Sequence, residues 1–344
     1  MPKKRLPGKE NISFHYHVMS TRPPIILAPF SQWAPIQVNE YFCEILKGRR
    51  AYFILFLYWT HDTQDMAMSR RDWYVKLKEK YPEHEFIFLC NSPTEYYLFK
   101  EFNLPSVFCN HNALLDEKIF TILPGVRKRY DAIYNAQMQR FKRHHLACEV
   151  KNLALISFIN TLKSQISDSK KYFNETKKLL PKATWLNDPL KKNSKRCFKP
   201  EEVNKYLNQA KVGLCLSAQE GAMYASAEYL LCGLPVVSTR SRGGRSVFFD
   251  KEYVKIVDGT PNDVSAGVKE MIKRNIPPDY IRKKTLEKMK PHRERFIKLI
   301  QMIYDREGID KDFRKEWKKV FINKMVRYQR VSLIGGLYYL KPTQ

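Results

Sequence analysis

The chain of 344 residues has little acid for its base, 35 Asp and Glu against 61 Lys and Arg, and only 13 glycines. The sparse glycine leaves no GxGxxG run, so a dehydrogenase of the dinucleotide-binding type lacks its fingerprint here. None of the 7 cysteines forms a CxxC pair, which removes the spacing of a structural zinc site or a redox motif. Without a disulfide frame, and with no secretory leader read behind the basic start Met1–Lys9, the thiols are expected to be reduced and the protein cytoplasmic. The most apolar run, Ala51–Trp59, is too short to cross a bilayer and reads as a buried strand. No DxD-like acid pair stands at a predicted strand end; Asp62 and Asp65 come nearest with the wrong spacing, so no metal site is expected. Internal repeats and low-complexity blocks are absent as well.

What is present is enough apolar residue, 44%, for two domains with cores of their own. The formal charge of +26 draws such a chain towards polyanions. Residues 281–344 concentrate part of it, with 18 Lys and Arg against 7 Asp and Glu, interleaved with Phe296, Trp317 and Phe321. Basic helices with an aromatic side can lie on anionic lipid, track a nucleic-acid backbone, or show solvent a charged face while the apolar side packs on the protein.

Apolar periodicity predicts strands over 24–28, 51–59, 85–90 and 106–109, alternating with helices over 38–47, 71–81 and 94–102. Further strands follow over 130–135, 153–159, 183–187, 211–217, 236–238 and 253–257. Helices are expected over 141–150, 170–180, 201–209, 222–231, 264–273 and from 277 onward. Such alternation implies parallel sheets with ligands at the carboxyl ends of the strands.

The segment Ser217–Ser238 compresses a strand end, a glycine turn, a helix and another strand into about twenty residues. Gly221 is expected to open its helix, which would aim unpaired backbone N–H groups and the positive dipole end at an anion such as a diphosphate. Glu220 then flanks the anion site and Glu228 follows about two turns along. Carboxylates so placed need donors, and sugar hydroxyls supply them; the plain alternative is a surface helix with two solvated glutamates.

Together with the strand entry Cys232-Gly-Leu-Pro-Val-Val237, this segment resembles the E-x7-E signature of retaining nucleotide-sugar glycosyltransferases of the GT-B fold, family 4 above all. Glu220, Gly221, Glu228, Cys232, Gly233, Pro235, Val236 and Val237 match it. The resemblance implies an α/β fold of two Rossmann-like domains, with parallel sheets facing across a cleft and C-terminal helices crossing back. It divides the chain into a polar tail (1–22), an N-terminal acceptor domain (23–124), a nucleotide-sugar domain (125–278) and a basic helical tail (279–344). The passage Cys109–Phe120 looks like the one that closes the first domain in that family.

The same resemblance implies roles for single residues. Glu220 contacts the transferred sugar and Glu228 the ribose, while Gly221, Ala222 and Met223 line the donor. In the family's G-R-x4-K stretch Lys142 matches the lysine, Gln137 stands where the arginine belongs, and Arg140 or Arg143 is left to compensate. Arg245, in the Gly-Gly loop, is expected to meet phosphate. His61, with Asp62 beside it, and His111 are candidates for the first-domain histidine that reaches the sugar, and His144 is a further one. The implied activity is metal-independent, needs no cofactor, and moves a hexose with retention from a UDP- or GDP-sugar. A surface glycan or lipid-linked saccharide at the inner membrane face is the expected acceptor. Modified DNA bases are the rival acceptor, and a non-catalytic nucleic-acid-binding protein on a decayed transferase fold is the second alternative.

Overall fold

A computed structural model describes residues 13–30, 38–159, 165–320 and 328–330. The chain divides into two compact units, Met1–Leu114 with His292–Gln344, and Leu115–Pro291. The first unit runs β1 (Ser13–His15), β2 (His17–Thr21), β3 (Pro24–Phe30), α1 (Val38–Ile45), β4 (Tyr52–Leu57), α2 (Gln64–Lys80), β5 (Glu85–Cys90), α3 (Pro93–Glu101) and β6 (Ser106–Phe108). The order β2-β3-β4-β5-β6 in its five-stranded sheet simply follows the chain. β3 to β6 pair in parallel, and β4 is buried at every position, as a strand covered on both faces must be. Residues 17–21 correct the sequence reading: they belong not to a polar tail but to β2, antiparallel to β3. Within β2, His17 and Met19 are buried while Val18, Ser20 and Thr21 are not, a period of two too short to stand out in the sequence. The sheet is therefore mixed rather than wholly parallel. α2 starts ahead of residue 71 because the Thr63 hydroxyl caps it, accepting from Met66 N–H.

The second unit holds β7 (Tyr130–Gln137), β8 (Leu153–Phe158), α4 (Ile166–Leu179), β9 (Thr184–Trp185), α5 (Pro200–Asn208), β10 (Ala210–Cys215), α6 (Tyr224–Leu231), β11 (Val236–Thr239), β12 (Val254–Val257) and α7 (Pro261–Arg274). Its six strands are all parallel, in the order β12-β11-β10-β7-β8-β9. This is the Rossmann order, and it reverses between β7 and β10, which opens a crevice at the carboxyl ends of those two strands. The first sheet has no such reversal. The unit takes in residues from Leu115 on, because Asn204 and Asn208 of α5 accept the Thr121 and Leu123 N–H groups at 3.0 and 2.9 Å. A second correction falls at 141–150: instead of one helix there are two short 3-10 turns, Arg140–Lys142 and His144–Ala147. Arg143 between them has φ of +51°, a left-handed conformation that no helix continues through.

The chain ends with α8 (Pro278–Arg306), α9 (Phe313–Val320) and β13 (Tyr328–Arg330), the last paired antiparallel with β1. Up to Pro291, α8 belongs to the second unit, where Arg282 donates to the Glu117 and Phe120 carbonyls at 2.7 Å each. From His292 it belongs to the first, where Arg293 and Arg295 donate to the Ala113 and Phe108 carbonyls at 2.6 and 3.2 Å. Phe313 and Trp317 of α9 pack on Tyr304 and Phe296 of α8, leaving Arg314 and Lys315 exposed. The described part of the basic tail thus keeps its apolar side for the protein itself; Phe321 lies outside the described residues.

A Cβ added to Gly213 in β10 would lie 2.4 Å from the Tyr229 ring of α6. Helix and strand approach this closely only because that side chain is missing. Gly213→Ala is expected to cost about 1–3 kcal/mol, read as a lower urea midpoint, and an unchanged midpoint would contradict this packing.

Candidate functional site

At the strand-order reversal two charged side chains meet. Lys142 follows β7, and its backbone carbonyl is fixed by the Tyr134 hydroxyl at 2.6 Å. Glu220 follows β10 in a loop zipped to the Arg242–Gly244 segment: Glu220 N–H donates to the Arg242 carbonyl, Arg242 N–H to that of Ala218 and Gly244 N–H to that of Gly221, at 3.1, 3.0 and 2.8 Å. Lys142 Nζ pairs with Glu220 Oε1. The Ser217 hydroxyl donates to the same oxygen at 2.6 Å. With side chains only 12% and 7% exposed, the pair interacts more strongly than one on the surface.

Two guanidiniums stand behind this pair. Arg245, 1% exposed, donates through Nη1 to the Ser217 carbonyl and hydroxyl, at 2.7 and 3.0 Å, and through Nη2 to Ser238 Oγ and the Thr239 carbonyl, at 3.0 and 2.6 Å. Arg143 donates to the Leu216 carbonyl and Thr239 Oγ1, both at 2.6 Å. Burial first, then the charge of Arg245, lowers the pKa of Arg143. Neither arginine has a carboxylate partner among the described residues. Three cations therefore gather around one carboxylate, an excess that attracts an anion. Further along α6, the Glu228 carboxylate accepts from the Asn135 amide at 3.1 Å. Burial pushes its pKa up to about 7, while the Asn135 hydrogen bond pulls the other way.

Several expectations are corrected by this geometry. α6 begins at Tyr224 with Met223 as its cap, at φ +51°, so Gly221 does not open the helix but offers its carbonyl to Gly244. Ala222 and Met223 are buried in that loop. Arg245 is not a loop cation facing outward; its guanidinium is turned into the protein and spent on carbonyls and hydroxyls. Gln137 ends β7, paired in register with Phe158, and brings no charge. Arg140 is held at the surface by Asp168 and Glu175, at 3.5 and 3.0 Å, so of the two spare arginines only Arg143 reaches the strand ends. His144 is packed between Tyr134 and Tyr172, and burial pushes its pKa down to about 3.

The remaining candidates lie in the first unit. His61 is 4% exposed, its Nδ1 bonded to the Trp59 carbonyl at 2.9 Å; burial and then Arg70 push its pKa down to about 4. Asp62 beside it is partly exposed. His111 follows β6, stands edge-on to Phe56, and is pushed down to about 3 by burial. Sequence reasoning missed Glu95, whose buried carboxylate accepts His61 N–H and Asn91 N–H at 2.8 and 2.7 Å and so ties the ends of β4 and β5 together. Burial pushes this carboxyl up to about 7. The cap pattern Ser92-Pro-Thr-Glu95, in which the Ser92 hydroxyl accepts from Glu95 N–H, is the signal that could have found it. Among the described residues no His, Cys, Asp or Glu cluster is set to hold a metal, and no helix is long and apolar enough to cross a membrane.

No protein-family profile matches the chain, and no curated protein sequence does. Solved structures are similar. Anabaena HepE, in complex with UDP and glucose and again with UDP-glucose, has a TM-score of 0.51 and 12% identity, over 75% of this chain and 72% of that one. The likeness is one of fold. Thermosynechococcus elongatus sucrose-phosphate synthase is 12% identical over 78% of this chain and 68% of its own, with a TM-score of 0.48. An α/β fold with two Rossmann-like sheets is the make-up of GT-B glycosyltransferases.

Two stability measurements test the site without any ligand. Lys142→Met leaves Glu220 buried beside Ser217 alone and is expected to cost about 3 kcal/mol, most of it regained in K142M/E220Q; a neutral single variant would show the pair to be dispensable. His111 takes a proton in the unfolded chain below pH 6.5 but in the folded one only near 3. Its contribution is therefore whole above pH 6.5 and drains away as the pH falls towards 3. His111→Phe should flatten the fall of Tm between pH 6.5 and 4, and an unaltered slope would refute this.

Proposed function

We propose that the chain is a retaining, nucleotide-sugar-dependent glycosyltransferase of the family 4 type, moving a hexose onto a surface glycan or lipid-linked saccharide. The observation that carries this reading is the Lys142–Glu220 pair at the strand-order reversal, backed by Arg143 and Arg245 and flanked by Glu228. A donor diphosphate takes over Lys142 while hydroxyls of the transferred sugar take over Glu220, so both partners are satisfied again once the pair opens. Charge growing on the departing phosphate meets Lys142 and Arg143 in a buried setting, where it is stabilised far more than in water. Those cations do what a metal does in other transferases. Arg245 acts through Ser217, which it holds against Glu220, and adds its field. Glu228 accepts from the ribose hydroxyls. Ala222 and Met223 border the sugar, and Gln137 offers a neutral hydrogen bond where a charge is absent. His61, with Asp62, and His111 are neutral imidazoles at strand ends, suited to recognising hydroxyls in the first unit.

HepE holds UDP-glucose in its solved complex, which makes that donor the first to test here, with GDP-sugars second. A cytoplasmic protein with Arg314 and Lys315 on the open side of α9 suits contact with anionic lipid at the inner membrane face. That contact would be electrostatic, since the apolar side of α9 is taken. Liposome binding supports this acceptor class, whereas salt-sensitive duplex binding supports the DNA alternative.

A thermal-shift panel of UDP-, GDP-, ADP- and TDP-sugars should show one donor raising Tm. With it, Glu220→Gln is expected to lose about 100-fold or more in turnover, and Glu228→Ala to weaken donor binding about tenfold. No stabilisation by any donor, or full activity in either variant, would overturn the proposal.

A further inference from the structure

Asn135 ties β7 to α6 twice, and the two ties differ in kind. Its backbone N–H donates to the Tyr229 hydroxyl at 2.7 Å. Its side-chain amide donates to Oε2 of the residue just before Tyr229, Glu228, at 3.1 Å. The first tie needs only a main chain, and Tyr229 is held for it by the space left at Gly213. The second needs this side chain. Among the described residues no other donor reaches the Glu228 carboxylate, so Asn135 alone fixes its rotation and leaves Oε1 as the open acceptor.

We propose that Asn135 is the positioning residue for nucleoside recognition, aiming Glu228 at the ribose diol and keeping its carboxylate in the accepting, ionised form. This rests on the role given to Glu228 above. A buried carboxyl left to itself takes up a proton and turns one oxygen into a donor, which spoils it for two hydroxyls that must both donate. A single amide N–H bonded to the charged form opposes that proton. With this amide in place burial still holds Glu228 up at about 7, so losing the amide tips it further towards the protonated form at neutral pH. The titratable groups around it are the Cys197 thiol, from the loop before α5, and Tyr229 and Cys232 from its own helix segment. All three are raised above their ordinary values, so none carries charge at pH 7 to do this in place of Asn135.

The test uses the full chain with UDP and its 2′,3′-dideoxy analogue as probes, and GDP with its own analogue as the second pair, each titrated calorimetrically from pH 5.5 to 8.5. The parent is expected to prefer the ribose form about tenfold, with affinity falling as the pH drops through about 7. Asn135→Leu should lose most of that preference and move the midpoint up by about one pH unit. Asn135→Asp, nearly the same shape but with a like charge against Glu228, should move it further in the same direction. Because the Tyr229 tie is to the main chain, both variants should stay folded with a single cooperative urea transition. Should Asn135→Leu prove unstable, Asn135→Asp alone decides. A parent that does not distinguish ribose from dideoxyribose with either base refutes the role of Glu228 and this proposal with it. A parent that does, alongside variants with the parent's preference and midpoint, refutes the positioning role only.

Discussion

The Lys142–Glu220 pair is the interaction on which the second unit's strand ends depend. Placing opposite charges in a buried crevice costs desolvation, and a pair of this kind persists only where geometry and further hydrogen bonds offset that cost. Here Tyr134 grips Lys142 through its carbonyl, Ser217 shares the oxygen that Lys142 meets, and Arg245 holds Ser217 in turn. The arrangement is satisfied without ligand, yet each member can be satisfied equally well by a phosphate or a hydroxyl. That exchangeability, with two further arginines and no carboxylate matched to them among the described residues, leaves the crevice with an excess of positive charge.

Much of the scaffold was legible in the residues, because strands buried on both faces appear as short apolar runs between turns: Glu85–Cys90 was expected and found over those same residues. The pairing order was not, since nothing in a strand's own residues says which neighbour it takes, and the reversal between β7 and β10 is what creates the crevice. Glu220, Glu228 and Lys142 were singled out by the resemblance of their segments, and the structure pairs Lys142 with Glu220. What surrounds them was hidden behind single backbone angles. Arg143 at φ +51° breaks the expected helix and swings its own guanidinium to Leu216 and Thr239, an outcome no helical periodicity contains. Gly221 was read as the turn residue because glycine usually is, while the left-handed position belongs to Met223.

Charge shows the same limit. The count of +26 was plain, but its distribution was not. Arg245 disappears into the interior, Arg140 is matched by two acids, and Arg282, Arg293 and Arg295 are drawn into capping backbone carbonyls. A good part of the arginine in this chain is thus structural, acting as a fork of donors where loops leave carbonyls without partners.

β6 is only three residues long and ends the first sheet. A strand in that position offers bare peptide groups to any passing chain, a common start of aggregation. Its rim is instead closed by α8, where the Arg295 guanidinium lies over the Phe108 ring at 5.2 Å and bonds its carbonyl, and His292 accepts the Asn110 N–H at 3.1 Å. A segment 187 residues further along the polypeptide thereby finishes that surface. A ribosome would release the strands of this sheet long before that cover exists, so the nascent sheet passes through synthesis with a sticky margin until α8 follows.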